Sequence, residues 1–184
     1  MGEIISRQDF KLEAQTLFGH LRFKPPFKAN SAMQDEARFV HIKHGRSRLY
    51  SPNDKFDLKT GDSLLMKCEN FVNNWFENED DEVNEIFVFH FYPQLLNHIY
   101  DNQIPEIFKI KQSIRANPVE IIEPNELLNG FIAGLDLYIE HPRTISPEFM
   151  KIKMRELIMI LIHTDQSGQI RKILSDLFQS KDFT

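Results

Sequence analysis

The sequence predicts an α+β fold, an antiparallel β-barrel over the first half of the chain and packed helices over the second. Three observations carry this. Short β-prone runs divided by turn residues fill residues 10 to 92, the pattern of an antiparallel barrel or sandwich. From residue 94 onward the apolar spacing changes from two to 3.6, the period of a helix. The chain has 184 residues, 41% of them hydrophobic, with 16 Phe and 27% charged side chains, which suits one folded unit with a substantial core. The expected division is a barrel over 1–93 and a helical segment over 94–180.

In the first half, Phe39 to Lys43 and Arg46 to Tyr50 flank His44-Gly45, where glycine supplies the positive φ of a tight hairpin. Alternation turns Val40, Ile42 and Leu49 inward and Lys43, Arg46 and Arg48 toward water. Ser51-Pro52-Asn53-Asp54-Lys55 is a turn, Phe56 to Leu58 a short strand, and Lys59-Thr60-Gly61-Asp62 a second turn that opens the run Ser63 to Met66. Further strands are expected at Val72 to Phe76 and Glu85 to Tyr92, joined by the acidic stretch Glu77 to Glu82, read as a solvated loop.

The second half opens with a short helix over Gln94 to Tyr100 and an irregular link through Pro105 and Pro118. Glu126 to Glu140 places Leu127, Leu128, Phe131, Leu135, Tyr138 and Ile139 on one stripe, and His141-Pro142 ends it. Ser146-Pro147 is an N-cap followed by proline at the first helical position, opening an apolar helix to about His163. A last helix near Ser167 to Gln179 aligns Ile170, Ile173, Leu174, Leu177 and Phe178.

Several function classes are argued against. A net charge of −5 gives no overall attraction for a polyanion, so specific DNA binding by this segment alone is not expected. There is no basic leader with a long apolar run and no stretch able to span a bilayer, so a soluble cytoplasmic protein without membrane contact is expected. The single Cys68 makes no intrachain disulfide and reads as a core residue. His41 and His44 are three apart, an odd spacing that sends them to opposite faces of a strand, so no metal site and no cofactor are expected. No nucleophile elbow, phosphate loop or dinucleotide fingerprint appears, and no catalytic residue is assigned.

The turn Thr60-Gly61-Asp62 leading into Ser63-Leu64-Leu65 resembles the barrel, or jelly roll, of cupin-like sensor domains. Met150-Lys151-Ile152-Lys153-Met154-Arg155-Glu156-Leu157-Ile158-Met159-Ile160-Leu161, running through Gln166-Ser167-Gly168 to Ile170-Arg171-Lys172-Ile173-Leu174, resembles the helix that closes the sensor domain of AraC-type transcription regulators, particularly the ExsA-like subgroup of type III secretion activators. The resemblance runs from about Phe39 to Phe178. It implies a regulatory half that binds an effector, small molecule or protein, and dimerises, with DNA contacted only through a separate helix-turn-helix half absent from this chain. A stand-alone ligand-binding cupin and a metal-dependent cupin enzyme are the rival readings.

Two sets of residues are assigned to these roles. By alternation, Val40, Ile42, Leu49, Leu64, Met66, Cys68, Trp75, Val88 and His90 line the lumen and form the effector pocket if it is open. A homodimer interface is expected on the helices. Gly130, Ala133, Gly134 and Leu137 form a small-residue face opposite the core stripe of the first long helix, and Phe149, Ile152, Met159, Ile160 and His163 surround Glu156 on the second. Packing of these two faces within one chain is the alternative.

Overall fold

The computed structural model describes residues 2–67, 69–77, 83–109 and 113–180; Cys68 and all of the acidic stretch beyond Glu77 lie outside them. In chain order the elements are β1 (Glu3–Leu12), β2 (Gln15–Lys24), β3 (Phe27–Ala32), β4 (Ala37–His44), β5 (Arg46–Tyr50), β6 (Lys55–Lys59), β7 (Ser63–Lys67), β8 (Asn70–Trp75), β9 (Asn84–Phe91), α1 (Pro93–Ile99), α2 (Glu106–Lys109), β10 (Val119–Ile122), α3 (Glu126–Glu140), α4 (Pro147–His163) and α5 (Gln169–Gln179). The strands form two antiparallel sheets, a six-stranded one ordered β1-β2-β9-β4-β7-β10 and a four-stranded one ordered β3-β8-β5-β6. The fold is therefore α+β, as the sequence predicts, with the β half built as two packed sheets and not as one closed ring.

The larger sheet is the middle of three layers. Its side chains sort by the two-residue period of a strand. Phe87, Phe89 and Phe91 of β9, Ala37 and Phe39 of β4, and Leu65 of β7 join the core shared with the helices. Ile86 and Val88, Ile42, and Leu64 and Met66 of the same strands join a second core, shared with Leu49, Phe71 and Trp75 of the smaller sheet. A strand buried on both faces reads as a continuous apolar run, and Ile86-Phe87-Val88-Phe89 is one. Aromatic contacts knit the helical side, with Phe18 stacked on Phe89 at 4.6 Å and Phe89 tilted against Phe131 of α3 at 5.7 Å.

The helices begin where their caps dictate. Asn125 accepts a hydrogen bond from the Leu128 amide at 2.9 Å, and Ser146 accepts one from the Phe149 amide at 3.1 Å, each satisfying an amide that the first helical turn leaves open. Met150, Met154, Leu157, Ile158 and Leu161 face the core from α4, and Ile170, Ile173, Leu174, Leu177 and Phe178 do so from α5. Polar ties add direction. Lys43 donates to Asp136 of α3 at 2.5 Å and lies 3.1 Å from Glu85 of β9, which pairs with His20 at 2.8 Å. Burial disfavours the Lys43 ammonium, but hydrogen bonds to Asp136 and Glu85 outweigh that and raise its pKa above the ordinary lysine value.

Three expectations are corrected. β4 and β5 are not a hairpin, because β4 pairs with β7 and β9 while β5 pairs with β6 and β8. At Gly45, with φ of +118°, the chain crosses from one sheet to the other. The link between α2 and α3 is not wholly irregular, since β10 returns to pair antiparallel with β7, so the sheet extends past the expected boundary at residue 93. Leu127 is 56% exposed and turns away from the α3 core stripe.

Gly45 has no room for a side chain. A Cβ there would lie 2.1 Å from Oδ1 of the fully buried Asn84, in a backbone region that side chains disfavour. Gly45→Ala is expected to lower stability by roughly 2–4 kcal/mol, the combined scale of left-handed strain and overpacking, as read by urea unfolding. His41 supplies a pH dependence. It is buried beside Phe87, with Nδ1 2.8 Å from Ser63 Oγ, and burial, aided by the Lys43 charge, pulls its pKa down to about 4. The unfolded chain takes up this proton near pH 6.5 and the folded chain does not, so stability is full above that pH and falls as pH drops toward 4. Between pH 7 and 5 the loss should be about 2 kcal/mol, and His41→Gln should remove most of it in matched denaturation curves.

Candidate effector cavity and helical face

A cavity of about 280 Å³ lies between the two sheets. The space exists because facing positions carry small side chains: Gly19 on β2 and Ala29 and Ser31 on β3 leave a gap that larger residues would fill. Leu21, Val40, Met66, Ile86 and Val88 form the wall from the larger sheet, and Leu49, Phe71 and Trp75 the wall from the smaller one. Trp75 is held edge-on against Phe23, with ring centroids 5.0 Å apart. This part of the lining is apolar.

The polar lining consists of Arg7, Asp9, Ser31, Arg38, Asn73 and His90. Arg38 grips the buried Glu36 through two hydrogen bonds, Nε to Oε1 at 2.5 Å and Nη2 to Oε2 at 3.0 Å, and reaches Ser31 Oγ at 3.2 Å. His90 Nδ1 lies 2.7 Å from Glu36 Oε1, and its ring stacks on Tyr92. Burial pushes the Glu36 carboxyl up, but the hydrogen bonds from His90 and Arg38 outweigh it and hold its pKa below the ordinary carboxylate value. Arg7 donates to Asp9 Oδ2 at 2.8 Å. Two further acceptors, Asp9 Oδ1 and Asn73 Oδ1, are buried with no hydrogen-bond partner among the described residues. A buried acceptor without a donor costs roughly 1–3 kcal/mol, which a bound hydroxyl or amine would recover.

Of the eight residues assigned to the pocket within the described chain, Val40, Leu49, Met66, Trp75, Val88 and His90 line this cavity. Ile42 and Leu64 lie fully buried in the same inter-sheet core but do not reach the cavity wall. Sequence reasoning missed the contribution of β1 to β3, from Arg7 and Asp9 to Ala29 and Ser31, and the inward course of Arg38. Small and charged residues carry no hydrophobic signal; only the strand parity shared by Arg38 and Val40 points to an inward Arg38.

The residues assigned to the dimer face divide. On α3, Gly130, Ala133 and Leu137 are exposed and Gly134 half-buried, and a Cβ built on either glycine meets nothing within 4 Å. On α4, Ile152 and Met159 are 62% and 58% exposed, flanked by exposed Glu156 and His163. Phe149 and Ile160 do not belong to that open stripe: Phe149 packs against Tyr138 with centroids 4.9 Å apart, and Ile160 is half-buried against the helical core. His41 and His44 join no metal-binding group, since no cluster of three or more His, Cys, Asp or Glu able to hold a metal occurs among the described residues. No helix among them is long and apolar enough to cross a membrane.

Comparison with known proteins places this geometry. No curated protein sequence matches the chain. Among solved structures, unsaturated fatty acid-bound ToxT from Vibrio cholerae is similar with a TM-score of 0.54 at 14% identity, over 84% of this chain and 58% of that one. A second ToxT structure from the same organism gives 0.51 at 13% identity, over 91% of this chain and 61% of that one. The Cnp3 cupin domain of Schizosaccharomyces pombe is similar at a TM-score of 0.39 and 15% identity, over 56% of this chain and 73% of that one. The chain thus spans about three fifths of the ToxT chains, and the likeness is one of fold. The family model described as the ExsA N-terminal regulatory domain matches residues 37–173, from the start of β4 into α5 and across most of the cavity wall. By that match, which covers well over half of its length, the chain belongs to the ExsA N-terminal regulatory domain family of AraC-type regulators.

Proposed function

We propose that this regulatory domain binds a small effector in the cavity between its sheets, that it dimerises through α3 and α4, and that it has no enzymatic activity. The observation that carries effector binding is the partition of the cavity lining, an apolar interior of aliphatic and aromatic residues with a cluster of charged and hydrogen-bonding groups. Such a lining suits a molecule with an apolar body and one polar head. The fatty acid in the ToxT structure is a molecule of that kind, which supports the reading. The charged groups support a binding role as well, since Arg38, Glu36 and His90 satisfy one another at the cavity. DNA would be contacted by another part of a full-length regulator acting in the cytoplasm.

The dimer reading rests on α3 and α4. Glycine in a helix interior costs about 0.5–1 kcal/mol relative to alanine, and nothing among the described residues uses the missing Cβ of Gly130 or Gly134. A second copy brought close against this face would use it, and Leu137, Ile152 and Met159 would leave water at the same time. A two-fold contact of standard size covers about 800 Å² on each partner.

Both parts are open to test. A long-chain unsaturated fatty acid, titrated by calorimetry, should bind the wild-type domain and bind Val40→Trp at least tenfold more weakly, because the larger side chain fills the cavity; unchanged affinity in that variant would remove the cavity from the reading. For the dimer, Met159→Glu or Ile152→Glu should yield a folded monomer by light scattering and circular dichroism. Gly130→Ala combined with Gly134→Ala should weaken the dimer while raising the stability of the isolated protomer by about 0.5–1 kcal/mol per site. A wild-type chain that is monomeric at high micromolar concentration would end the proposal.

A further inference from the structure

The outer face of the smaller sheet is basic, although the chain as a whole carries −5. Phe71, Trp75, Leu49 and Leu58 face the core, so the alternate positions of β3, β8, β5 and β6 point outward. Those positions include Lys28, Arg46, Arg48, Lys55 and Lys59 against the single acid Asp57. The strand register sets them side by side: Arg48 lies opposite Asn74 on one flank and Asp57 on the other, Lys28 faces Asn74 from β3, and Arg46 faces Lys59. Asp57 pairs with Arg48 at 2.5 Å, while Lys28, Lys55 and Lys59 hold no ion pair among the described residues. Neighbouring like charges on one sheet face repel; Arg48 is offset by Asp57, and Arg46 donates to the Glu77 carbonyl at 3.2 Å.

The face also has relief and apolar character. Arg46, Arg48, Lys59 and the Arg48-paired Asp57 border a groove of about 410 Å³ that Phe76, Ser47 and Leu58 complete. Phe76 is 38% exposed and lies under the Arg48 guanidinium at 6.0 Å, and Tyr50 is 36% exposed on the same face. Arginine interleaved with tyrosine and phenylalanine is the composition of protein recognition surfaces.

We propose that this sheet face docks an acidic segment of a partner protein, with Glu or Asp side chains meeting Arg46 and Lys59 and an apolar side chain resting on Phe76. Four strands spaced ~4.8 Å apart give a platform about 15–20 Å across, sized for a short segment. A long polyanion such as duplex DNA fits less well. It would overrun the platform onto a surface whose net charge is more negative than −5. The proposal is independent of effector binding, which uses the opposite face of this sheet, and of the helical face, which lies beyond the larger sheet.

The test uses the whole chain and a fluorescein-labelled twelve-residue peptide in which Glu and Asp alternate with Leu and Phe, read by anisotropy. Binding is expected in the micromolar range, weakened at least tenfold by Arg46→Glu with Lys59→Glu, weakened less by Arg46→Gln with Lys59→Gln, and reduced by salt. Both pairs are at exposed positions, and circular dichroism reports whether the fold is kept. Amide resonances of β5 and β6 should shift on peptide addition. Absence of binding at 100 μM peptide, equal binding to the glutamate variant, or tighter binding of a 20-base-pair duplex of arbitrary sequence to the same face would each overturn the proposal.

Discussion

The six-stranded sheet is buried on both faces, and the rest of the molecule follows from that constraint. A strand offers its side chains alternately to two sides, so each buried apolar residue of β4, β7 and β9 joins one of two cores according to its position. Phe87, Phe89 and Phe91 hold the helices; Ile86 and Val88 hold the smaller sheet and border the cavity. Slipping β9 by one residue would exchange these sets and put phenylalanine rings into the cavity. Register is therefore strongly specified, and the cavity owes its position to the same alternation that seats the helices.

That frame also explains the placement of the charged groups. Lys43, Glu85 and His20 stand on the helical face of the larger sheet, where Asp136 of α3 meets them, while Arg38, Glu36 and His90 sit at the polar part of the cavity. Each cluster pairs opposite charges and joins elements distant in sequence, β4 with β9 in both and α3 in the first. Partly buried charges are tolerable only when paired in this way, and the pairing orients α3 on one side and the cavity lining on the other.

The helical half was the more legible part of the sequence. Asn125 and Ser146-Pro147 announce helix starts through local chemistry, and the apolar spacing of α3, α4 and α5 needs no knowledge of partners. The strands were legible as strands, but their pairing was not. Gly45 carries the positive φ that a hairpin would use, yet here it turns the chain between sheets, and only the fit against Asn84 distinguishes the two uses. β10 is four residues long, and its pairing with β7 is a long-range event without a local signature. Within the cavity, alternation picked out the aliphatic wall around Val40 and Val88, whereas Gly19 and Ala29 matter for what they lack, and Arg38 points inward because Glu36 and His90 receive it.

The division of β9 between two cores has a consequence for how such a domain diversifies. Substitutions at residues 86, 88 and 90 remodel the chamber, and those at 87, 89 and 91 remodel the seat of the helices. Neither set intrudes on the other. A lineage can thus reshape the space between the sheets by editing alternate letters of a single strand, leaving the packing of the helices intact, and a deletion of one letter would scramble both at once.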